Sequence, residues 1–332
     1  MKHFFRVEAV KERAKLDVKD SKILSVLVTD ARASLASISR KVGLSRDAVA
    51  YRIKQLMNKG VIQGFSPFVN YKRLGFMRIR LYVLVSEESE ERKKAFIDYL
   101  SKDKHVVRIL EFNDRWDYEI SIIVRNLDEF DKFKRALDGA FSGLFIEEQA
   151  FIVMDRYATT YFPTGFYVPP APPKKEPEVD ELDCKILHAL SNDARKSYYS
   201  VGQQLNIDAD TVRNRIKKMT DSGVIRHLAA VVNISRLNYD FYVFSVDMRY
   251  ISPKEERMLK NIVVNNKSVI EITRVIGNHL LVYISAEHSS VLHKTIKEFK
   301  LRFANSIKSY MTLIAYRELY FRPVPDVVCI PR

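Results

Sequence analysis

Ser34-Leu-Ala-Ser-Ile-Ser-Arg-Lys-Val-Gly-Leu-Ser-Arg-Asp-Ala-Val-Ala-Tyr-Arg-Ile-Lys-Gln-Leu-Met-Asn-Lys-Gly60 carries two helices and the corner between them. Ser34 is placed to cap the first helix, whose Ile38 and Val42 stand one turn apart on one face. Gly43 permits a tight reversal, having no Cβ to penalise positive φ, and Ser45 caps the next helix. There Val49, Ile53 and Leu56 recur at helical spacing until Gly60 stops the run. Upstream, Asp17-x-x-Asp20 reads as an acidic helix start before the apolar face Ile23, Leu24, Leu27. The pattern is helix, then helix-turn-helix. The following Val61-Ile-Gln-Gly-Phe-Ser-Pro67 predicts a short strand and turn, the wing of a winged helix.

The same pattern returns at a constant offset of 163 residues, the step from Asp17 to Asp180. Lys22-Ile-Leu24 becomes Lys185-Ile-Leu187, Asp30-Ala-Arg32 becomes Asp193-Ala-Arg195, Arg52-Ile-Lys54 becomes Arg215-Ile-Lys217, and Gly60-Val-Ile62 becomes Gly223-Val-Ile225. Two copies of domain size make a tandem duplication, not a solenoid. The rest of each copy alternates strand and helix in the order βαββαβ. In the first, strands are expected near Arg78–Ser86, Val106–Phe112, Tyr118–Val124 and Ile146–Asp155, with helices near Glu90–Lys102 and Leu127–Leu137. In the second, strands are expected near Tyr242–Arg249, Val269–Val275, Leu280–Ser285 and Ile307–Tyr316, with helices near Pro253–Asn265 and Val291–Phe303. That order folds as a ferredoxin-like antiparallel sheet with both helices on one face. The fold class expected is therefore α+β: two copies of an N-terminal winged helix-turn-helix followed by a ferredoxin-like domain.

Proline marks the division, because it removes a backbone donor and fixes φ. The run from Pro163 to Pro177 reads as a semi-rigid linker able to span about 45 Å at about 3.1 Å per residue. The expected domains are an extension at 1–15, helix-turn-helix at 16–70, sheet domain at 76–162, linker at 163–178, helix-turn-helix at 179–233, sheet domain at 239–322 and a tail at 323–332.

With 332 residues, 47% hydrophobic and 29% charged, each half has enough apolar side chains for a core, which excludes a disordered polymer. Lys and Arg total 55 against 41 Asp and Glu, a net charge of +14 that favours a polyanionic partner. No run approaches the roughly 18 to 20 uncharged apolar residues of a membrane span, so a cytoplasmic protein without a membrane partner is expected. The 2 cysteines, Cys184 and Cys329, lie far apart in sequence and exclude a disulfide framework or four-cysteine metal knuckle. Cys184 and His188 stand at helical i, i+4 spacing, but two ligands fall short of the four a structural zinc needs, so no metal is expected.

With Val49, Ile53 and Leu56 turned inward, a step of about 100° per residue leaves Asp47, Tyr51, Lys54 and Gln55 outward, with Arg46 and Arg52 on the flanks. In the second copy Val212, Ile216 and Met219 turn inward and leave Asp210, Arg213, Asn214, Lys217 and Lys218 outward, flanked by Arg215. Arg and Lys reach phosphates and guanine edges, and Asn or Gln pairs with adenine, when such a helix lies in a major groove. Double-stranded DNA is the partner expected.

The stretch Ile38 to Ile62, the opening Leu16-Asp-Val-Lys-Asp-Ser-Lys-Ile-Leu24 and the echo Leu182-Asp-Cys-Lys-Ile-Leu187 resemble the Lrp/AsnC (feast/famine) transcription regulators. The likeness covers nearly the whole chain. It implies DNA binding by the N-terminal domain, and self-association plus amino-acid sensing by a ferredoxin-like domain called RAM. Effector loops of that family carry Gly-x-x-Asp between the second and third sheet strands. Here Asp114 replaces the glycine and Asp117 is kept, whereas Gly277 is kept and Leu280 replaces the aspartate. The two loops leave either a shared effector site, with Asp114 and Asp117 from one copy and Gly277 from the other, or turn residues in a sheet used for assembly. No cofactor is expected.

The siroheme decarboxylases share the architecture, and a fused pair of their subunits would look like this chain. They use His and Arg around a tetrapyrrole, for which His279 with Arg274 is the only candidate grouping. No Gly-rich phosphate loop or nucleophile elbow is present. A DNA-binding regulator and not an enzyme is expected, with a fused decarboxylase or an architectural chromatin protein as the competing readings.

Overall fold

The computed structural model describes residues 4, 6–8, 13–86, 89–158 and 177–329. Most of the expected linker lies outside them. The first copy opens with α1 (Val18–Leu27), α2 (Leu35–Val42) and α3 (Arg46–Asn58). Their N-termini are capped by Asp17, in a reciprocal box with Asp20, and by Ser34 and Ser45; Gly43 takes the left-handed conformation at φ 66°. Then follow β1 (Ile62–Val69), β2 (Met77–Val85), α4 (Glu90–Lys102), β3 (Val106–Phe112), β4 (Tyr118–Val124), α5 (Leu127–Ala140) and β5 (Phe145–Ala158).

The second copy repeats the series: α6 (Glu181–Leu190), α7 (Tyr198–Leu205), α8 (Ala209–Asp221), β6 (Ile225–Val232), β7 (Asp240–Met248), α9 (Pro253–Asn265), β8 (Val269–Val275), β9 (His279–Ala286), α10 (Ser289–Arg302) and β10 (Ile307–Phe321). Its helix-turn-helix corner is built from different residues: Asn206 is the left-handed residue at φ 56° and Asp208 caps α8.

Each sheet domain has the ferredoxin-like order, β3-β4-β2-β5 in one and β8-β9-β7-β10 in the other, and the two sheets join edge to edge into one closed eight-stranded barrel. Strand β5 pairs with β2 through Ile152 and then with β8 from Val153 to Ala158. Strand β10 pairs with β7 through Ala315 and carries its ladder on to β3. Both strands therefore run past their expected ends at Asp155 and Tyr316: the far end of each pairs with the other copy.

The expected wing is corrected. β1 does not fold back on its own copy but pairs antiparallel with β6, its counterpart. Four backbone bonds show the pseudo-twofold relation. Ala31 N–H donates to Leu228 O and Ala194 N–H to Phe65 O; Asn70 N–H donates to Val224 O and Asn233 N–H to Val61 O. Each pair is one contact and its copy-exchanged equivalent.

Alternation along β2 divides the core. Ile79, Leu81 and Val83 pack under α4 and α5 with Phe96, Leu100, Phe133 and Leu137, while Arg80 and Tyr82 point to the barrel interior, both 1% exposed. The second half packs Phe244, Val246 and Ile284 under α9 and α10 in the same way. Each buried aliphatic side chain contributes about 1.5 to 3 kcal/mol.

Candidate nucleic-acid interface

Three inward residues on each recognition helix, Val49, Ile53 and Leu56 on α3 and Val212, Ile216 and Met219 on α8, are buried. The opposite faces are open: Arg46, Asp47, Tyr51 and Lys54 are exposed on α3, with Gln55 half-buried, and Asp210, Arg213, Asn214, Lys217 and Lys218 are exposed on α8. Tyr51 stands out at 64% exposure, an aromatic ring that packs into no core. On α8, Arg213 pairs with Asp210 at 3.1 Å and Lys218 with Glu178 at 3.7 Å. Both are surface pairs, weak enough to open for a phosphate.

Arg52 and Arg215 are corrected. Arg52 Nη1 lies 2.6 Å from Asp17 and 2.8 Å from Asp20, and Arg215 Nη1 lies 2.6 Å from Asp180 and 3.1 Å from Asp183. Each arginine ties the recognition helix to the capping box of the first helix in its copy. The bond from the Asp20 backbone N–H and that from Arg52 hold the Asp17 carboxyl below its ordinary value, and Arg215 does the same to Asp180. These two cations organise the domain and do not lie on its open face.

Contacts between the two helix-turn-helix units escaped the periodicity reading. Arg32 donates from Nη2 to Lys196 O at 2.7 Å and lies over the Tyr198 ring at 4.5 Å, and Ser66 Oγ donates to Ser191 O at 2.8 Å. Helical periodicity carries no record of such partners.

The expected effector residues do not meet. Asp117, in the β3–β4 hairpin, accepts a bond from Val85 N–H at 2.7 Å, and Asp114 accepts one from Ile314 N–H on β10 at 2.9 Å. Gly277, at φ 86° in the β8–β9 hairpin, sits beside Ile276, whose N–H donates to Ile152 O on β5. The hairpins occupy opposite seams of the barrel, separated by β2 and β5 on one side and by β7 and β10 on the other. A shared site is corrected on that ground. Asp117 alone borders a cleft of about 410 Å³, with Glu90, Lys93, Glu111 and Arg317.

His279 and Arg274, on adjacent rungs of the β8–β9 hairpin, bind other partners. Both ring nitrogens of His279 are engaged, Nδ1 with Asp247 at 2.6 Å and Nε2 with Ser245 at 2.8 Å. Its ring stacks on Phe151 at 4.6 Å, and Arg274 binds Asp155.

The barrel interior holds a charge network that sequence pattern did not suggest. Glu119 accepts from Arg80 at 2.6 Å, Arg108 at 2.5 Å, and the hydroxyls of Tyr82 and Tyr283 at 2.8 Å each. Glu271 accepts from Arg80 and Arg156, both at 2.8 Å, and from Thr273 at 2.9 Å. Burial would raise the Glu119 carboxyl, but Arg108 and Arg80 outweigh it and hold it at about 2. Glu271 is held well below its ordinary value by Arg156 and Arg80 against the same burial. Such pairs are stable only because nearly every lone pair is used.

Residues 16–57 and 179–220 match the family model described as the AsnC-type helix-turn-helix domain. The HTH-type transcriptional regulator Ptr1 of Methanocaldococcus jannaschii is 32% identical over 107 residues, which cover 32% of this chain and 71% of that protein. An uncharacterized HTH-type transcriptional regulator of Pyrococcus horikoshii is 33% identical over 108 residues, 32% of this chain and 72% of that protein. Among solved structures, the siroheme decarboxylase NirDL, in co-complex with an iron-uroporphyrin III analogue, superposes with a TM-score of 0.60, covering 92% of this chain and 94% of that one at 12% identity. At that identity the likeness is one of fold. Among the described residues, no helix is long and apolar enough to cross a membrane.

Proposed function

Because the chain belongs to the AsnC-type helix-turn-helix transcription regulators, we propose that it is a sequence-specific DNA-binding regulator, and not an enzyme, that carries both recognition helices of a regulator pair on one polypeptide. The observation that carries this reading is the pair of open faces on α3 and α8, held in a single body by the β1–β6 ladder and its reciprocal bonds. Arg46, Asp47, Tyr51, Lys54 and Gln55 would read one half-site, and Asp210, Arg213, Asn214, Lys217 and Lys218 the other, while Arg52 and Arg215 hold the helices at their angle. The two sets differ, so an imperfect palindrome is the target, with half-sites about one helical turn, roughly 34 Å, apart or a multiple of it. The work belongs in the cytoplasm, with the chromosome. Further association between chains through the outer faces of the sheet domains is part of the same proposal.

Sequencing the DNA that the protein selects from a random pool tests it. An enriched bipartite motif supports the regulator, binding without enrichment favours an architectural protein, and no binding sinks both. The decarboxylase reading draws support from the shared fold over the whole chain. A tetrapyrrole titration that shifts the visible absorption of the ligand would favour it; the satisfied state of His279 argues against it.

A further inference from the structure

The chain's two cysteines, 145 residues apart, meet in the fold. Cys184 stands near the start of α6, in the second helix-turn-helix. Cys329 ends the short 3-10 turn Asp326–Cys329 that follows β10, so it belongs to the end of the barrel. Cys184 Sγ donates to Val328 O at 3.3 Å and Cys329 Sγ donates to Cys184 O at 3.3 Å. Each thiol thus bonds a backbone carbonyl at or next to the other cysteine. Other bonds hold the segment in place: His188 Nε2 lies 2.9 Å from Asp326, Arg322 grips the same carboxylate, and Tyr71 donates its hydroxyl to Pro323 O at 2.6 Å. Both thiols are only half-buried, so a small oxidant reaches them.

We propose that Cys184 and Cys329 form an oxidisable dithiol site that reacts with a peroxide and closes to a disulfide, fastening the second helix-turn-helix to the end of the barrel. The two sulfurs have distinct parts. Contact with the Cys329 thiol, aided by Arg125, holds Cys184 below the ordinary thiol value against burial and the charges of Asp183 and Asp180, while Cys329 is pushed up by Cys184 and by burial. Cys184 stands close to the N-terminus of α6, where the helix dipole favours a thiolate, and is assigned as the attacking sulfur. Its sulfur takes one oxygen from the peroxide O–O bond, giving a sulfenic acid and one water. The Cys329 sulfur then attacks Cys184 Sγ, forming the S–S bond, and the hydroxyl leaves with the thiol proton as a second water. One peroxide is reduced by two electrons and the dithiol is oxidised by two.

The site stands on the contact between α6 and the tail and holds whether or not the protein binds DNA. The experiment treats the full-length protein with hydrogen peroxide, digests it without reductant and maps the peptides by mass spectrometry. The expected result is one peptide pair joined through Cys184 and Cys329, lighter by two hydrogens, formed within a chain and reversed by a dithiol. Cys329→Ser should stop Cys184 at a sulfenic acid that dimedone traps. In the oxidised protein, amide exchange at 323–329 and along α6 should slow at least tenfold. Thiols that stay free, cross-links between chains, or sulfinic acid at both positions would overturn the site. Unchanged exchange would overturn the fastening. If Cys329→Ser fails a circular-dichroism check of folding, the wild-type map decides alone.

Discussion

Glu119 keeps its charge in the barrel interior because four donors surround it, and that makes it a source of acid sensitivity. Its folded value of about 2 lies below its ordinary 4.5. The stabilisation is therefore complete above about 4.5 and is lost as the pH falls toward 2, on the order of 3 kcal/mol in all. Urea melts between pH 6 and 2 should show the midpoint falling mainly below pH 4.5, and Glu119→Gln should flatten that fall; an unchanged slope in the variant would remove Glu119 as the cause. On the recognition helices the residue scale separates two kinds of cation. Replacing Tyr51 and Lys54 together by Ala should weaken binding at one half-site about tenfold or more and leave footprints at the other. Arg52→Ala should instead lower the melting temperature modestly, since Arg52 binds Asp17 and Asp20. Its direct effect on the salt dependence of binding should be small, and a slope reduced by a full unit would return Arg52 to the DNA face.

The element scale is governed by how α7 and α8 meet. A Cβ on Gly202 would stand 2.5 Å from Ile207 O, a backbone atom that cannot swing away. In the first copy the equivalent residue is Ser39, which donates its hydroxyl to Leu44 O at 2.5 Å. The two turns therefore solve one problem differently. Gly202→Ala should destabilise by about 1 to 3 kcal/mol through forced backbone shift, whereas Ser39→Ala removes one hydrogen bond and should cost about 1 kcal/mol. Chemical denaturation of the two variants checks the order; Gly202→Ala as stable as wild type would show that the corner is free to open.

At the scale of the whole molecule, pairing within the chain has a charge logic. Strand registers make Arg108 equivalent to Glu271 and Arg156 equivalent to Glu318, so cations in one copy stand where anions stand in the other. Arg156 meets Glu271 at one seam; a barrel of two first halves would set arginine beside arginine there, and one of two second halves glutamate beside glutamate. Glu271→Gln should cost about 3 to 5 kcal/mol, because buried Arg80 and half-buried Arg156 would keep their charge without that carboxylate; a calorimetric loss under 1 kcal/mol would show the network to be dispensable. DNA affinity should fall with a log–log salt slope of several units, given the +14 charge and two basic faces, and a flat response would end the DNA reading. The duplication, the helix-turn-helix corners and the βαββαβ order were legible in the residues alone. These rest on local signals: Asp17, Ser34 and Ser45 cap through bonds to neighbours three residues away, and apolar spacing records which face is buried. What pairs across copies became visible only in the folded chain. The swap of β1 onto β6, the barrel seams, the separation of Asp117 from Gly277, the diversion of Arg52 and Arg215, and the meeting of Cys184 with Cys329 all depend on partners remote in the chain. Periodicity sets which side of an element faces inward and is silent on what it meets there.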